Sequence, residues 1–167
     1  RNSRLRMTKQ PVKEEMREAD GAPEMKQAQR QRQHAILSGS ARKAMSEATV
    51  VLTNPTHFAV ALRYRPGIDA VPIVVARGKA EVAAAIRELA NDNDVPLLSY
   101  PQLTRAIYFT TRAGQPIAED LYIAVAAILA FVFNLDRAMA DGIVQPEVDV
   151  PQAKRFDENG KKAAGSP

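Results

Sequence analysis

The chain has 167 residues, of which 46% are hydrophobic and 25% are charged, so it is long enough for one domain with a hydrophobic core. It contains no cysteine, which excludes disulfides, thiol nucleophiles and cysteine metal sites. Its two histidines, His34 and His57, show no ligand spacing, and we expect neither a metal site nor a cofactor. The longest apolar run, residues 121–133, is too short to cross a bilayer, and no signal peptide is visible.

The net charge of +4 comes mainly from an excess of basic residues in the first 48 positions. A basic stretch over 29–34 would suit an anionic partner such as nucleic acid or lipid. No aromatic residue precedes position 58, so the stretch has no ring on which a base can stack. We therefore expect no nucleic-acid binding and interpret the stretch as a solvated helical face, with a membrane surface as the alternative.

Residues 1–46 are predicted to form an extended helical linker. They are rich in Arg, Lys, Gln, Glu, Met and Ala, which favour helix. Pro11, Gly21, Pro23 and Gly39 interrupt this pattern and predict two or three helical pieces.

Residues 47–137 are predicted to form an α/β domain, a mixed sheet of about four strands with helices packed around it. Strands are expected at 48–52, 58–64, 71–76 and 95–99, and helices at 79–91, 101–108 and 119–135. A turn is expected at Arg77-Gly78. The order strand, helix, strand predicts that the third and fourth strands form a parallel pair. Residues 138–167 are polar and rich in Pro and Gly, and are predicted to be a disordered tail.

The segment Thr53-Asn54-Pro55-Thr56-His57 lies between the first two predicted strands and is typical of a tight turn. Pro55 has no N–H, so its nitrogen cannot attack the Asn54 side chain. The Asn54 side-chain nitrogen can instead attack its own main-chain carbonyl, closing a succinimide and releasing Pro55 as a new N-terminus. We therefore predict a single self-cleavage at Asn54–Pro55.

The roles of the neighbouring residues stay open. A neutral His57 imidazole can hold the amide or protonate the departing Pro55 nitrogen, or it can merely satisfy carbonyls of the turn. The hydroxyls of Thr53 and Thr56 orient the turn or are ordinary turn residues. No Ser-His-Asp, Cys-His or phosphate-loop pattern is present, so we expect no enzyme that turns over a substrate.

The residues 51–62, VLTNPTHFAVAL, resemble the self-cleaving NPTH segment of the export-gate switch proteins of type III secretion, the FlhB/YscU/HrcU family. Residues 7–13 and 20–23 are similar to the family's juxtamembrane linker, although Pro11 and Asp20 each stand where glutamate is usual. Residues 101–108 are similar to a segment that carries functional surface in the family, which makes Arg105 and Tyr108 candidate partner-binding residues.

The resemblance implies a domain on the cytoplasmic face of the bacterial inner membrane, joined to N-terminal transmembrane helices that are missing here. It implies that cleavage controls the switch in export substrate specificity. The implied partners are other export-apparatus proteins, a length-sensing protein and secreted substrates, in either a flagellar or an injectisome system. The alternative is a non-cleaving cytoplasmic adaptor that docks on membrane lipid or acidic proteins through its basic linker.

Overall fold

The structure is a computed structural model that describes residues 37–55 and 57–162. Thr56, residues 1–36 and residues 163–167 lie outside the described part. Most of the predicted linker over 1–46 therefore falls outside it.

The described ranges contain four strands and five α-helices. In chain order they are α1 (Gly39–Met45), β1 (Val50–Asn54), β2 (Phe58–Arg63), β3 (Ile73–Lys79), α2 (Glu81–Asp92), β4 (Leu97–Ser99), α3 (Pro101–Thr110), α4 (Tyr122–Phe133) and α5 (Leu135–Ala140). Two single 3-10 turns cover Glu119–Leu121 and Gln152–Lys154. None of these helices is both long enough and apolar enough to span a bilayer.

The four strands form one mixed sheet in the order β3-β2-β1-β4, which confirms the predicted fold class. Neighbours β1 and β2 are antiparallel, as are β2 and β3, whereas β4 runs parallel to β1. The prediction that the third and fourth strands pair with each other is wrong. Two successive hairpins leave an open edge on β1 and another on β3. Residues 114–117 bond to the edge of β3, where the Val74 N–H donates to the Gln115 carbonyl at 2.9 Å, and β4 pairs with β1. Helix α2 packs against β3 and β2 as the chain makes this crossover.

The sheet is covered on both faces, which explains why its strands are continuous apolar runs. Alternate side chains of β1 point to opposite faces: Val50 and Leu52 pack toward α3 and α4, while Val51 packs toward α1 and α2. All three are fully buried. Burial of each contributes about 1.5–3 kcal/mol, so β1 is held firmly at the centre of the domain.

The strand β3 extends further than predicted, and the prediction of a turn at Arg77-Gly78 is wrong. The pairing with β2 continues to Phe58 and Lys79, and the chain turns at Ala80, whose φ is 55°. Gly78 serves close packing instead. A Cβ placed there would lie 2.0 Å from Cγ1 of Val82, so only glycine lets α2 begin this close to the strand.

The last ten residues of the predicted linker belong to the domain. Leu37 and Met45 are buried in the core on the α2 side of the sheet. Gly39 was predicted to interrupt a helix, but it is the first residue of α1. The Ser38 hydroxyl accepts the Ala41 N–H at 3.0 Å and caps the helix.

The C-terminal part also differs from the prediction. The single helix expected over 119–135 is instead a 3-10 turn followed by α4. The helix ends before Asn134, and α5 begins after it. Residues 138–162, predicted to be disordered, lie against the domain. Val150 is 2% exposed within the core, and the Tyr100 hydroxyl donates to the Pro146 carbonyl. Residues 138–162, the C-terminal segment, thus contribute apolar side chains to the core beside α3.

The loop after β2 is held by a carboxylate between two guanidinium groups. Asp69 accepts hydrogen bonds from Arg65 and Arg63 at 3.0–3.1 Å. The bonds from Arg65 and then Arg63 hold the pKa of the Asp69 carboxyl well below its usual range. Because the folded pKa is depressed, the resulting stabilisation is present above the unfolded pKa of about 4 and is lost as the pH falls below it.

Asp69→Asn is therefore expected to lower the free energy of unfolding at pH 7 and to have a smaller effect at pH 3. Urea unfolding of both chains at the two pH values measures this difference. An equal loss at pH 7 and pH 3 would show that shape, and not charge, accounts for the role of Asp69.

Candidate functional site

The predicted cleavage segment forms the connection of the β1–β2 hairpin. Asn54 is the last residue of β1 and is paired with Phe58, the first residue of β2. The His57 N–H donates to the Asn54 carbonyl oxygen at 2.9 Å, and the His57 carbonyl accepts the N–H of Ala80 at 3.0 Å. The hairpin turn is thus closed by one hydrogen bond and attached to the end of β3 by another.

The side-chain nitrogen of Asn54 is buried and has no hydrogen-bond partner among the described residues. The residue is 5% exposed, and its Nδ2 atom makes no hydrogen bond to any described residue. Leaving a buried N–H donor unsatisfied costs about 1–3 kcal/mol, and such groups are uncommon in folded proteins. The nitrogen that the sequence predicts to be the nucleophile is therefore one of three buried side-chain polar atoms without a hydrogen-bond partner in the described part of the chain, beside Nη1 of Arg87 and Oγ1 of Thr104.

The main chain on the other side of Asn54 is fixed by β4. The Thr53 carbonyl accepts the N–H of Tyr100 at 2.9 Å, and the Thr53 hydroxyl donates to the Leu98 carbonyl at 3.4 Å. Thr53 is thus a strand residue bound to its neighbour. Thr56, the other predicted threonine, lies outside the described residues. Pro55 is exposed at the tip of the hairpin.

His57 meets an acidic residue that sequence reasoning missed. Its Nδ1 lies 3.3 Å from Oε2 of Glu158, and the two side chains are 52% and 49% exposed. The two residues are far apart in sequence, and no spacing rule connects them. The nearest sequence signal is Asn159-Gly160, which is typical of a turn but does not indicate where that turn lies.

An aromatic cluster lies beside the first residue of β2. The ring centroid of Phe58 is 4.8 Å from that of Tyr108 and 5.5 Å from that of Phe109. The Arg77 guanidinium carbon lies 4.4 Å from the centroid of Tyr108, and Arg77 donates to the Tyr108 carbonyl at 2.7 Å. Rings at such separations stabilise each other, so the cluster supports one side of the hairpin.

The two predicted partner-binding residues are both partly buried on α3. Arg105 Nε donates to the Phe156 carbonyl at 2.6 Å, and Tyr108 lies between Phe58 and Arg77. Arg105 therefore contacts the C-terminal segment, and Tyr108 contacts the β1–β2 hairpin. Their role in binding a partner stays a prediction.

No group of three or more His, Cys, Asp or Glu side chains that could hold a metal ion occurs among residues 37–55 and 57–162. The arrangement at the hairpin offers something else: a buried amide nitrogen, its own main-chain carbonyl polarised by the N–H of His57, and a proline after it. These are the groups needed for intramolecular acyl transfer without a cofactor.

The sequence model of the family described as the FlhB HrpN YscU SpaS Family matches residues 1–132. The flagellar biosynthetic protein FlhB of Yersinia enterocolitica is 40% identical over 157 residues, which are 92% of this chain and 41% of that protein. The secretion system apparatus protein SsaU of Salmonella typhimurium is 36% identical over 134 residues, which are 80% of this chain and 38% of that protein. The chain thus spans about two fifths of the length of these relatives.

Solved structures show the same fold. The crystal structure of the cytoplasmic domain of FlhB from Shewanella putrefaciens is 37% identical, with a TM-score of 0.62, and the match covers 70% of this chain and 93% of that domain. A mutated C-terminal domain of EscU is 34% identical, with a TM-score of 0.56, and the match covers 59% of this chain and 99% of that domain.

Proposed function

This chain belongs to the FlhB HrpN YscU SpaS family, and we propose that it is the cytoplasmic domain of a type III secretion export-apparatus protein that cuts its own Asn54–Pro55 bond. In this proposal the domain lies at the cytoplasmic face of the bacterial inner membrane. The cut controls the switch in export substrate specificity. Its partners are other export-apparatus proteins, a length-sensing protein and secreted substrates.

The observation that carries the proposal is the buried Asn54 Nδ2 without a hydrogen-bond partner in the described part of the chain. An amide nitrogen engaged as a donor would have to break that bond before attacking. The unsatisfied nitrogen of Asn54 needs no such step, and the strands on both sides restrict its position. Holding a nucleophile close to its target removes much of the entropic part of a barrier.

The reaction balances within the chain. A bond forms between Nδ2 and the main-chain carbonyl carbon of Asn54, and the bond from that carbon to the Pro55 nitrogen breaks. One proton passes from Nδ2 to the Pro55 nitrogen, so the products are a C-terminal succinimide and a proline N-terminus. Negative charge develops on the carbonyl oxygen of Asn54 during the attack, and the N–H of His57, 2.9 Å away, stabilises it.

The cut is expected to leave the domain folded. β1 remains paired with β2 on one side and β4 on the other, and its buried residues Val50, Val51 and Leu52 remain in the core. The change falls at the exposed tip of the hairpin, where Pro55 becomes a charged terminus. A switch of this kind alters the shape and charge of a surface while the fold persists.

Mass spectrometry tests the proposal directly. The purified 167-residue chain, incubated at neutral pH and then denatured, is expected to give two fragments, 1–54 and 55–167. Before denaturation the same sample is expected to elute from a size-exclusion column as one species, because the fragments stay paired. A folded chain that remains intact after prolonged incubation would refute the self-cleavage and leave the non-cleaving adaptor as the remaining function.

A further inference from the structure

We propose that Glu158 is a positioning residue for His57 in the self-cleavage, an inference that rests on the function proposed above. Its carboxylate accepts the Nδ1–H of the imidazole and holds the ring in the tautomer whose unprotonated nitrogen is Nε2. The C-terminal segment thereby takes part in the chemistry of the β1–β2 hairpin.

The contact between the two side chains is too exposed to contribute much to stability. Nδ1 of His57 and Oε2 of Glu158 are 3.3 Å apart, and about half of each side chain faces solvent. Exposed pairs of this kind contribute about 0–1 kcal/mol. A carboxylate bound to one imidazole nitrogen nevertheless decides which nitrogen carries the proton and how the ring is oriented. That effect does not require burial of the pair.

The turn that carries Glu158 is built by its neighbours. The Asp157 carboxylate accepts the N–H groups of Asn159 and Lys161 at 2.8 and 2.9 Å, and the Asp157 N–H donates to the Lys161 carbonyl at 2.8 Å. The hydrogen bonds from the Lys161 and Asn159 backbones lower the pKa of the Asp157 carboxyl, so these bonds are present at neutral pH. The backbone around Glu158 therefore has a defined conformation.

The same turn is anchored on α3. Arg105 donates to the Phe156 carbonyl, and the rings of Phe156 and Phe109 have centroids 5.5 Å apart. Gly160 lies against Phe109 with φ of +85°, and a Cβ placed on it would be 2.9 Å from that ring. A glycine is needed here both for the conformation and for the close approach. Helix α3 thus sets where Glu158 meets His57.

The contact between Glu158 and His57 assists the proton transfers of the cleavage. In the cleavage one proton leaves Nδ2 of Asn54 and one arrives at the nitrogen of Pro55. An imidazole with an unprotonated Nε2 takes the first proton and returns it to the leaving nitrogen. The imidazolium formed between these steps is stabilised by the Glu158 carboxylate on its other side, and no external reactant is required.

Cleavage kinetics test the role of Glu158. The chain is made by cell-free translation, synthesis is stopped, and the fraction cut is followed on denaturing gels. Glu158→Ala is expected to slow the cut about tenfold, within the range attributed to general acid–base groups. Glu158→Gln, which keeps an acceptor but loses the charge, is expected to be intermediate. The control Glu147→Ala, an exposed residue of the same segment, is expected to cut at the wild-type rate.

A spectroscopic readout separates positioning from a structural effect and does not depend on cleavage. In the uncut Asn54→Ala chain, the ¹⁵N chemical shifts of His57 are expected to show the proton on Nδ1, and addition of Glu158→Ala is expected to shift it toward Nε2. Cleavage of the Glu158→Ala chain at the wild-type rate would overturn the inference, and so would an unchanged His57 tautomer. Absence of cleavage in every chain would refute the proposed function, while the tautomer would still report on the contact.

Discussion

Asn54→Ala is expected to leave the chain in one piece under conditions in which the wild-type chain separates into fragments 1–54 and 55–167. Alanine provides no nucleophile in place of Nδ2, and the remaining route is attack by water. An intramolecular nucleophile held in position contributes about 7–11 kcal/mol relative to a reaction between separate molecules. The expected loss is therefore complete on the time scale of a purification, and denaturing mass spectrometry of the two chains after equal incubation measures it.

The substitution is also expected to leave the fold intact, which makes a negative result interpretable. Nδ2 of Asn54 is buried and unsatisfied among the described residues, and alanine removes its cost of about 1–3 kcal/mol. The variant is therefore expected to unfold in urea no earlier than the wild-type chain.

A second asparagine supplies the control. Asn134 is exposed, and its Nδ2 already donates to the Ala130 carbonyl at 2.9 Å, so Asn134→Ala is expected to cut like the wild-type chain. A cut at the same bond in Asn54→Ala would point to a contaminating protease or to another nucleophile, and would exclude cyclisation of Asn54.

Gly78→Ala is expected to destabilise the domain by about 3 kcal/mol or more, at the upper end of the range for overpacked positions. The new Cβ would lie 2.0 Å from Cγ1 and 2.6 Å from Cβ of Val82. Val82 is in the first turn of α2, and its branched side chain has little freedom to move aside. The helix itself would have to shift, and with it the buried Ile86 and Leu89. Urea unfolding measures the loss.

A double substitution tests the cause of that loss. Val82→Gly removes both clashing atoms at a helix cost of about 1 kcal/mol, so Gly78→Ala is expected to cost at least about 1 kcal/mol less in that background. The control Gly39→Ala places its Cβ no closer than 3.9 Å to any neighbouring group and is expected to change stability by less than about 0.5 kcal/mol. Equal losses with and without Val82→Gly would show that the backbone of β3, and not the contact with α2, requires glycine.

The hairpin at Asn54 was predictable because each of its signals is local. Two apolar runs of β-forming residues flank an asparagine and a proline, and these residues predict a turn wherever the rest of the chain lies. The reactivity of Asn54 is equally local, since the nucleophile, the carbonyl and the leaving nitrogen belong to adjacent residues. Helices α2 and α3 follow from spacing and from the proline at the start of α3 in the same way.

Contacts between distant residues were not predictable, because no periodicity or turn signal records which surfaces meet. Two hairpins leave the edges of β1 and β3 open, and the strand partner of β4 depends on which of them another part of the chain occupies. Gly78 was predicted to lie in a turn, because its contact with Val82 exists only once α2 lies against β3. The C-terminal segment was predicted to be disordered because its composition is polar. The few side chains that pack against the domain, Val150 and Phe156 among them, do not change that composition.

The amino-acid sequence by itself determined the mixed α/β fold class, the β1–β2 hairpin and the bond predicted to break, because all of these follow from residues next to one another. The tertiary structure alone decided that Nδ2 of Asn54 is buried without a hydrogen-bond partner among the described residues and that Glu158 contacts His57. Burial and long-range pairing are properties of packed surfaces, which form only after the elements have assembled.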